Sequence, residues 1–281
     1  MDDSSSRSFV GRSVELGRLR RAAEAAAAGS PTVVLVSGPA GIGKTTLVEE
    51  FTAALGDTFT VLSLAGSAHE RDTPVAAAAR LLARTHRGRE DSARSGTGPG
   101  PSVLEVGTET LEALDALQGS RPVLVHLDDA QDIDLSSLQA FGFALLRLHG
   151  DRVLFVIGTD HPARTAADMS LKSAGARLER VELQGFTVSE ARSYVTGRLG
   201  QAPSESRTQT LVEWSEGNPL YLEAVLGALP GGLPDRLTIR MPPPLSDVVG
   251  EWARTFSPAG RRILDMLAVL DAPASVPLLS L

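Results

Sequence analysis

One stretch constrains the fold more than any other: residues 32–55, TVVLVSGPAGIGKTTLVEEFTAAL. Its first six residues are apolar and β-branched, the pattern of a strand buried on both faces of a parallel sheet. A glycine-rich turn follows, and then a helical pattern from Lys44 to Leu55. The turn, Gly38-Pro-Ala-Gly-Ile-Gly43-Lys44-Thr45, matches the Walker A pattern G-x-x-x-x-G-K-[ST] in the strand-to-helix context that its chemistry needs. Glycines let the backbone N–H groups close around a β-phosphate, and the helix N-terminus adds its positive dipole. Gly38, Ala40, Gly41, Ile42, Gly43, Lys44, Thr45 and Thr46 are therefore the expected phosphate contacts. Lys44 is expected to reach the β- and γ-phosphates and to assist catalysis, and the Thr45 hydroxyl is expected to hold Mg²⁺. Lysine occurs only twice, at Lys44 and Lys172, against 25 arginines, so one of two lysines stands where the chemistry requires it. The plainer alternative is a glycine-rich turn that caps a helix and holds no ligand.

Further buried strands are predicted at Thr58–Leu64, Val123–Leu127 and Val153–Ile157, with a weaker one at Arg180–Leu183. Helical patterns lie near 74–86, 103–118 and 134–149, and strands alternating with helices predict an α/β fold with a five-stranded parallel sheet. Ahead of them, Ser13–Ala28 reads as a helix capped by Ser13, with Val14, Leu16, Leu19 and Ala23 at helical spacing. Arg87–Ser102 is polar and rich in Gly and Pro, and reads as a mobile loop. After residue 184 the strand patterns stop. Thr187-Val-Ser-Glu190 is a capping box opening a helix to about Leu199, and helices follow at 204–215 and 219–229. Pro230–Pro244 reads as a linker. Helices are predicted at 245–256 and 258–270, the latter with Ser257 as N-cap and Pro258 at its first position. The expected division is a P-loop domain at 1–184, a helical lid at 185–230, and a linker with the truncated start of a winged-helix-like domain at 231–281.

Val123-Leu-Val-His-Leu127 followed by Asp128-Asp129 fits a Walker B strand. Asp128 is expected in the Mg²⁺ shell, and Asp129 is expected to orient or polarise the attacking water. Two solvated acids at a strand end are the alternative. His126, inside that strand, reads as a satisfied core histidine. Guanine recognition of the Asn-Lys-x-Asp kind is excluded, because the single asparagine, Asn218, precedes Pro219. ATP/ADP is therefore favoured over guanine nucleotides. No Gly-x-Ser-x-Gly, H-E-x-x-H or closely spaced His pair occurs, so neither a hydrolase triad nor a structural metal is expected.

Composition narrows the setting. Apolar residues make up 42% of the 281 residues and charged ones 22%, enough for a sizeable core. There is no cysteine, which removes disulfides and thiolate chemistry and fits a reducing, cytoplasmic location. Met1–Arg7 is acidic and Ser-rich, so no signal peptide is expected. The uncharged run Ala25–Gly43 is broken by Gly and Pro, so no membrane association is expected. The net charge is −7 and the arginines are dispersed among 34 acids, which opposes nonspecific DNA binding.

Phe9-Val-Gly-Arg12 with Glu15-Leu16, then GPAGIGKTTL, LDDAQ at 127–131 and Glu216-Gly-Asn-Pro-Leu220, occur in the order found in STAND-class signalling ATPases. The chain resembles the N-terminal ATPase region of large ATP-binding LuxR-family transcriptional regulators of actinobacteria, over roughly residues 8–270. The resemblance implies an extra strand between the Walker A and Walker B strands, here Val153–Ile157. It implies adenine and ribose contacts near Val10, Gly11 and Arg12, and a lid segment that approaches the nucleotide through Pro219. A bland reading of Asn218-Pro219, an N-cap followed by a first-turn proline, is compatible with it.

Two departures accompany the resemblance. Asp132 stands in the region where the family usually carries a Trp. Gly158-Thr159-Asp160 stands where the family often has Gly-Thr-Arg or another basic sensor, so a carboxylate replaces a cation near the expected γ-phosphate. Thr159 can still donate a hydrogen bond there, and Arg164 is the candidate substitute cation. Together these readings predict a slowly hydrolysing, ATP-controlled switch with nucleotide-dependent self-association in a longer protein. DNA would be bound only through a C-terminal domain absent from this chain. The rivals are an origin-recognition or clamp-loader type AAA+ ATPase with Arg192 as a lid arginine, a small-molecule kinase, and a catalytically inactive nucleotide-binding scaffold.

Overall fold

The computed structural model describes residues 9–85, 101–173 and 176–227. Five strands form one sheet: β1 (Thr32–Ser37), β2 (Thr60–Ala65), β3 (Val123–Asp128), β4 (Val153–Thr159) and β5 (Arg177–Glu182). Every pairing is parallel and the order is β2-β3-β4-β1-β5. β4 thus lies between β1 and β3, with Ser37 level with Thr159 and Leu127 level with Ile157. The fold is the α/β P-loop NTPase fold.

Alternation along the strands builds two core layers. Val33 and Leu35 of β1, Val125 and Leu127 of β3, and Phe155 and Ile157 of β4 share one face. It is covered by α3 (Ala76–Thr85), α4 (Val103–Leu117), α5 (Leu135–Leu145) and α6 (Pro162–Asp168). Val34, Val36, Leu124, Leu154 and Val156 face α1 (Ser13–Ala27) and α2 (Lys44–Leu55). Burial on both faces explains why these strands read as unbroken apolar runs. Each fully buried Val, Leu or Phe contributes roughly 1.5–3 kcal/mol of transfer free energy.

The edges differ from the prediction. β2 alternates buried and exposed positions, with Val61 on the outside, because α3 packs on the face that carries Leu62 and Leu64. A short 3₁₀ turn, Gly56–Thr58, delays its start to Thr60. In α1 the N-cap is Arg12, held left-handed at φ 60°, and not Ser13. Val14 is 71% exposed, while Leu16, Leu19, Ala22, Ala23 and Ala26 carry the buried stripe. Ser102, at the end of the predicted loop, forms a capping box with Glu105 that opens α4.

Contacts divide the chain into two compact units between Gly185 and Phe186. In the second, α7 (Val188–Leu199), α8 (Glu205–Ser215) and α9 (Pro219–Gly227) pack around Phe186, Ala191, Val195, Leu211 and Leu222. The Thr187–Glu190 capping box forms as the sequence predicts. The predicted linker, the helices at 245–256 and 258–270 with their winged-helix-like start, and most of the loop 87–102 lie outside the described residues. Among the described residues no helix is long and apolar enough to cross a membrane.

Candidate functional site

The turn after β1 is built by backbone conformation. Gly38, Gly41 and Gly43 sit at φ 149°, 76° and 97°. At Gly38 a Cβ would lie 2.9 Å from the Leu183 carbonyl oxygen, so no side chain fits there. At Gly43 a Cβ would meet nothing within 4 Å; that glycine is required by its dihedral angle and faces open space. The turn closes with Ile42 N–H donating to Pro39 O, and α2 begins at Lys44 with Gly43 as N-cap.

Lys44 is 7% exposed, and its ammonium has three donors. Nζ donates to Gly38 O at 2.9 Å and to Pro39 O at 3.3 Å, and it makes a short ion pair with Asp160 at the tip of β4. The carboxylate that the sequence places near a γ-phosphate is thus bound to the Walker A lysine. Thr45 Oγ1 donates to Asp128 Oδ2 at 2.8 Å, joining the loop to the tip of β3. The other oxygen, Asp128 Oδ1, is buried without a hydrogen-bond partner. A hydroxyl and a buried carboxylate with one unmatched oxygen are a donor set that fits Mg²⁺, which takes one or two protein oxygens and leaves the rest to phosphate and water.

Asp129, in the left-handed region at φ 45°, follows β3. Burial pushes its carboxyl above the usual range; neighbouring Asp128 and Asp160 push the same way, while a hydrogen bond from Gln131 and the Lys44 charge oppose them. Gln131 Nε2 donates to Asp129 Oδ1 at 3.0 Å, and Gln131 Oε1 accepts from Asp160 N–H at 3.2 Å. Gln131 therefore ties the tips of β3 and β4 together. It was missed in the sequence, and its position in LDDAQ was the available signal. Gly158 was missed too: a Cβ there would lie 2.9 Å from Asp128 Oδ1.

Three expected positions behave differently from their sequence reading. Thr159 is fully buried; its hydroxyl shares a hydrogen bond with Thr165 and accepts from His161 N–H, so it can donate elsewhere only when Thr165 is the donor of the shared bond. Arg164 is largely exposed and pairs with Asp168. His126 is buried, as expected of a core residue, but it is not satisfied. Its Nε2 has no hydrogen-bond partner and lies 3.9 Å from Asp128 Oδ1. Burial lowers the His126 pKa, against the pull of Asp128, Glu49 and Asp129.

Arg12 is buried, and its guanidinium donates to Ile42 O at 3.2 Å, bracing the phosphate loop from outside. Val10 is half-buried and Gly11 exposed. Thr46 and Ala40 are exposed on the loop and the first turn of α2. Asp132 takes an ion pair with Arg71. In the second unit, Asn218 Oδ1 accepts from Leu220 N–H and Pro219 opens α9, which is the local cap-and-proline arrangement.

The chain belongs to the AAA ATPase domain family, whose model matches residues 8–157. No curated protein matches it by sequence. Among solved structures it is similar to a STAND protein with a tetratricopeptide repeat sensor from Pyrococcus horikoshii, with 19% identity and a TM-score of 0.52. That match covers 96% of this chain and 36% of the archaeal one, so the chain spans about a third of that protein's length. It is also similar to the ORC1 protein of Aeropyrum pernix, whose structure is a complex with DNA. Identity there is 17% and the TM-score 0.54, over 100% of this chain and 78% of that one. A RuvB mutant from Thermotoga maritima gives 15% identity and a TM-score of 0.51 over 97% and 81%. At these identities the likeness defines the fold.

Proposed function

We propose that the chain is an ATP/ADP-binding switch domain that hydrolyses ATP slowly. The carrying observation is that Thr45, beside Lys44 in the first turn of α2, is bonded to Asp128 at the end of β3 while Lys44 folds back on the glycine-rich loop. Gly38, Ala40, Gly41, Ile42, Gly43 and Thr46 complete a phosphate cradle, Thr45 and Asp128 hold Mg²⁺, and Asp129 directs the water. Mg²⁺ when bound neutralises phosphate charge, and the chain's own residues position it. Slow turnover follows from Thr159 and Asp160, neither of which supplies a cation to the developing charge. Val10, Gly11 and Arg12 serve the base and ribose, and Pro219 serves the lid. The domains follow as 1–184, 185–230 and 231–281.

The finer reading is the regulatory ATPase region of a cytoplasmic LuxR-type transcriptional regulator. It rests on the ordered set Phe9-Val-Gly-Arg12, GPAGIGKTTL, LDDAQ and Gly217-Asn218-Pro219. In that protein nucleotide state governs self-association, and DNA contact belongs to another domain. An origin-recognition type AAA+ ATPase is the second reading, favoured by the likeness in fold to the Aeropyrum pernix ORC1 protein. Identification of the nucleotide that co-purifies with the protein tests the first statement: adenine nucleotide is expected, and none, with no binding on titration, would overturn it. Retardation of a duplex by this chain alone at near-physiological salt would favour the second reading.

A further inference from the structure

Asp160 pairs with Lys44, Asp129 feels the charges of Asp128, Lys44 and Asp160, and the lysine's three donors are already assigned. Two go to backbone carbonyls of its own loop and the third goes to Asp160. The aspartate is held in place from behind. Its backbone N–H is fixed by Gln131, and the preceding Thr159 is locked to Thr165 and to the backbone of His161. Its side chain is 28% exposed, so the pair with Lys44 is partly shielded from solvent. An arriving phosphate that needs the Lys44 ammonium must therefore share it with, or take it from, a carboxylate whose backbone is fixed beside it.

We propose that Asp160 is a specificity-determining residue that competes with a terminal phosphate for Lys44, so that the site retains a nucleoside diphosphate in preference to a triphosphate. This deepens the phosphate-site reading above and rests on it. A diphosphate places its charge within the backbone cradle and calls on Lys44 at the β-phosphate alone. A triphosphate adds a further anionic group that needs the same ammonium and sits among the same acids. Like charges within a few ångströms in a partly buried site repel appreciably, whereas a neutral amide of the same shape would leave Lys44 available. The preference is thus written into one carboxylate, and exchange toward the triphosphate state requires the Lys44–Asp160 pair to open.

The test is isothermal titration of wild type, Asp160→Asn and Asp160→Ser with Mg²⁺–ADP and with a non-hydrolysable Mg²⁺–ATP analogue. Melting temperatures of the ligand-free proteins serve as a fold control. Wild type is expected to bind the diphosphate more tightly. Asp160→Asn is expected to raise triphosphate affinity at least about tenfold while changing diphosphate affinity less than about threefold, the size expected for removing one close, partly shielded charge. Asp160→Ser should move the ratio the same way. An unchanged ratio in variants that melt normally, or an equal gain for both nucleotides, would overturn the competition while leaving the phosphate site intact. Failure of wild type and both variants to bind either nucleotide would overturn the phosphate-site reading and this inference with it.

Discussion

The phosphate loop and the acidic strand tips beside it are made by different means. The loop, residues 38–45, is contiguous, and its shape is a matter of backbone: left-handed glycines, one Pro39–Ile42 turn and the start of α2. The tips are assembled from residues far apart in sequence. Thr45 meets Asp128 across 83 positions, and Lys44 meets Asp160 across 116. The loop is therefore shaped mainly by its own backbone, with Arg12 and Lys44 bracing its carbonyls. The tips set the charge that fills it, so one carboxylate in place of a base changes the chemistry without changing the fold.

The largest expected effect comes from the point where the two regions join. Lys44→Ala removes the cation that both the cradle and Asp160 use. Nucleotide affinity is expected to fall by at least about a hundredfold, since charge-assisted phosphate contacts are the strong ones. Titration with a fluorescent ATP analogue measures it, and wild-type affinity would show that the loop binds by backbone alone. Next is Asp129→Asn, which keeps the hydrogen bond to Gln131 within reach but removes the charge. Binding should persist while hydrolysis falls at least tenfold, about 1.4 kcal/mol of transition-state stabilisation. Normal turnover would leave Asp129 without a catalytic part.

A third, smaller effect separates close packing from charge. Gly158→Ala puts a methyl 2.9 Å from Asp128 Oδ1 on a fully buried strand. The carboxylate must rotate or shift, loosening its bond from Thr45. A several-fold loss of Mg²⁺-dependent nucleotide binding is expected, with a destabilisation of about 1–3 kcal/mol, the range for overpacking a core position. If binding in Mg²⁺ equals that of wild type, Asp128 does not need its present orientation.

The same contrast governs what could be read in advance. β1, the loop and α2 were legible to the residue, because the glycine spacing and the apolar runs are local signals. The Asp128-Asp129 pair was legible as a pattern. Gln131 was not, since no local pattern says that its amide reaches both the Asp129 carboxylate and the Asp160 backbone. Gly158 reads as an ordinary strand glycine until Asp128 is seen leaning over it. The Ser13 cap failed because the chain enters α1 through a left-handed Arg12 whose side chain braces the phosphate loop, a tertiary contact that outweighed capping preference.

The smallest effect concerns His126, the tip residue that does not satisfy its own polar group. Its Nε2 and Asp128 Oδ1 are both buried and unpartnered, 3.9 Å apart. Burial lowers the folded-state pKa of His126 below 6.5, with Asp128, Glu49 and Asp129 pulling it back up. The unfolded chain therefore binds the proton more readily than the folded one. Stability from the neutral ring is complete above about pH 6.5 and is lost as pH falls through the folded-state value, with a slope no steeper than about 1.4 kcal/mol per pH unit for one proton. His126→Leu keeps the volume roughly constant and cannot be protonated. Denaturation midpoints at pH 7.5 and pH 5.5 should fall less between the two conditions in the variant than in wild type. Equal losses in both proteins would mean that the ring takes up its proton in place, with Asp128 as its counter-ion.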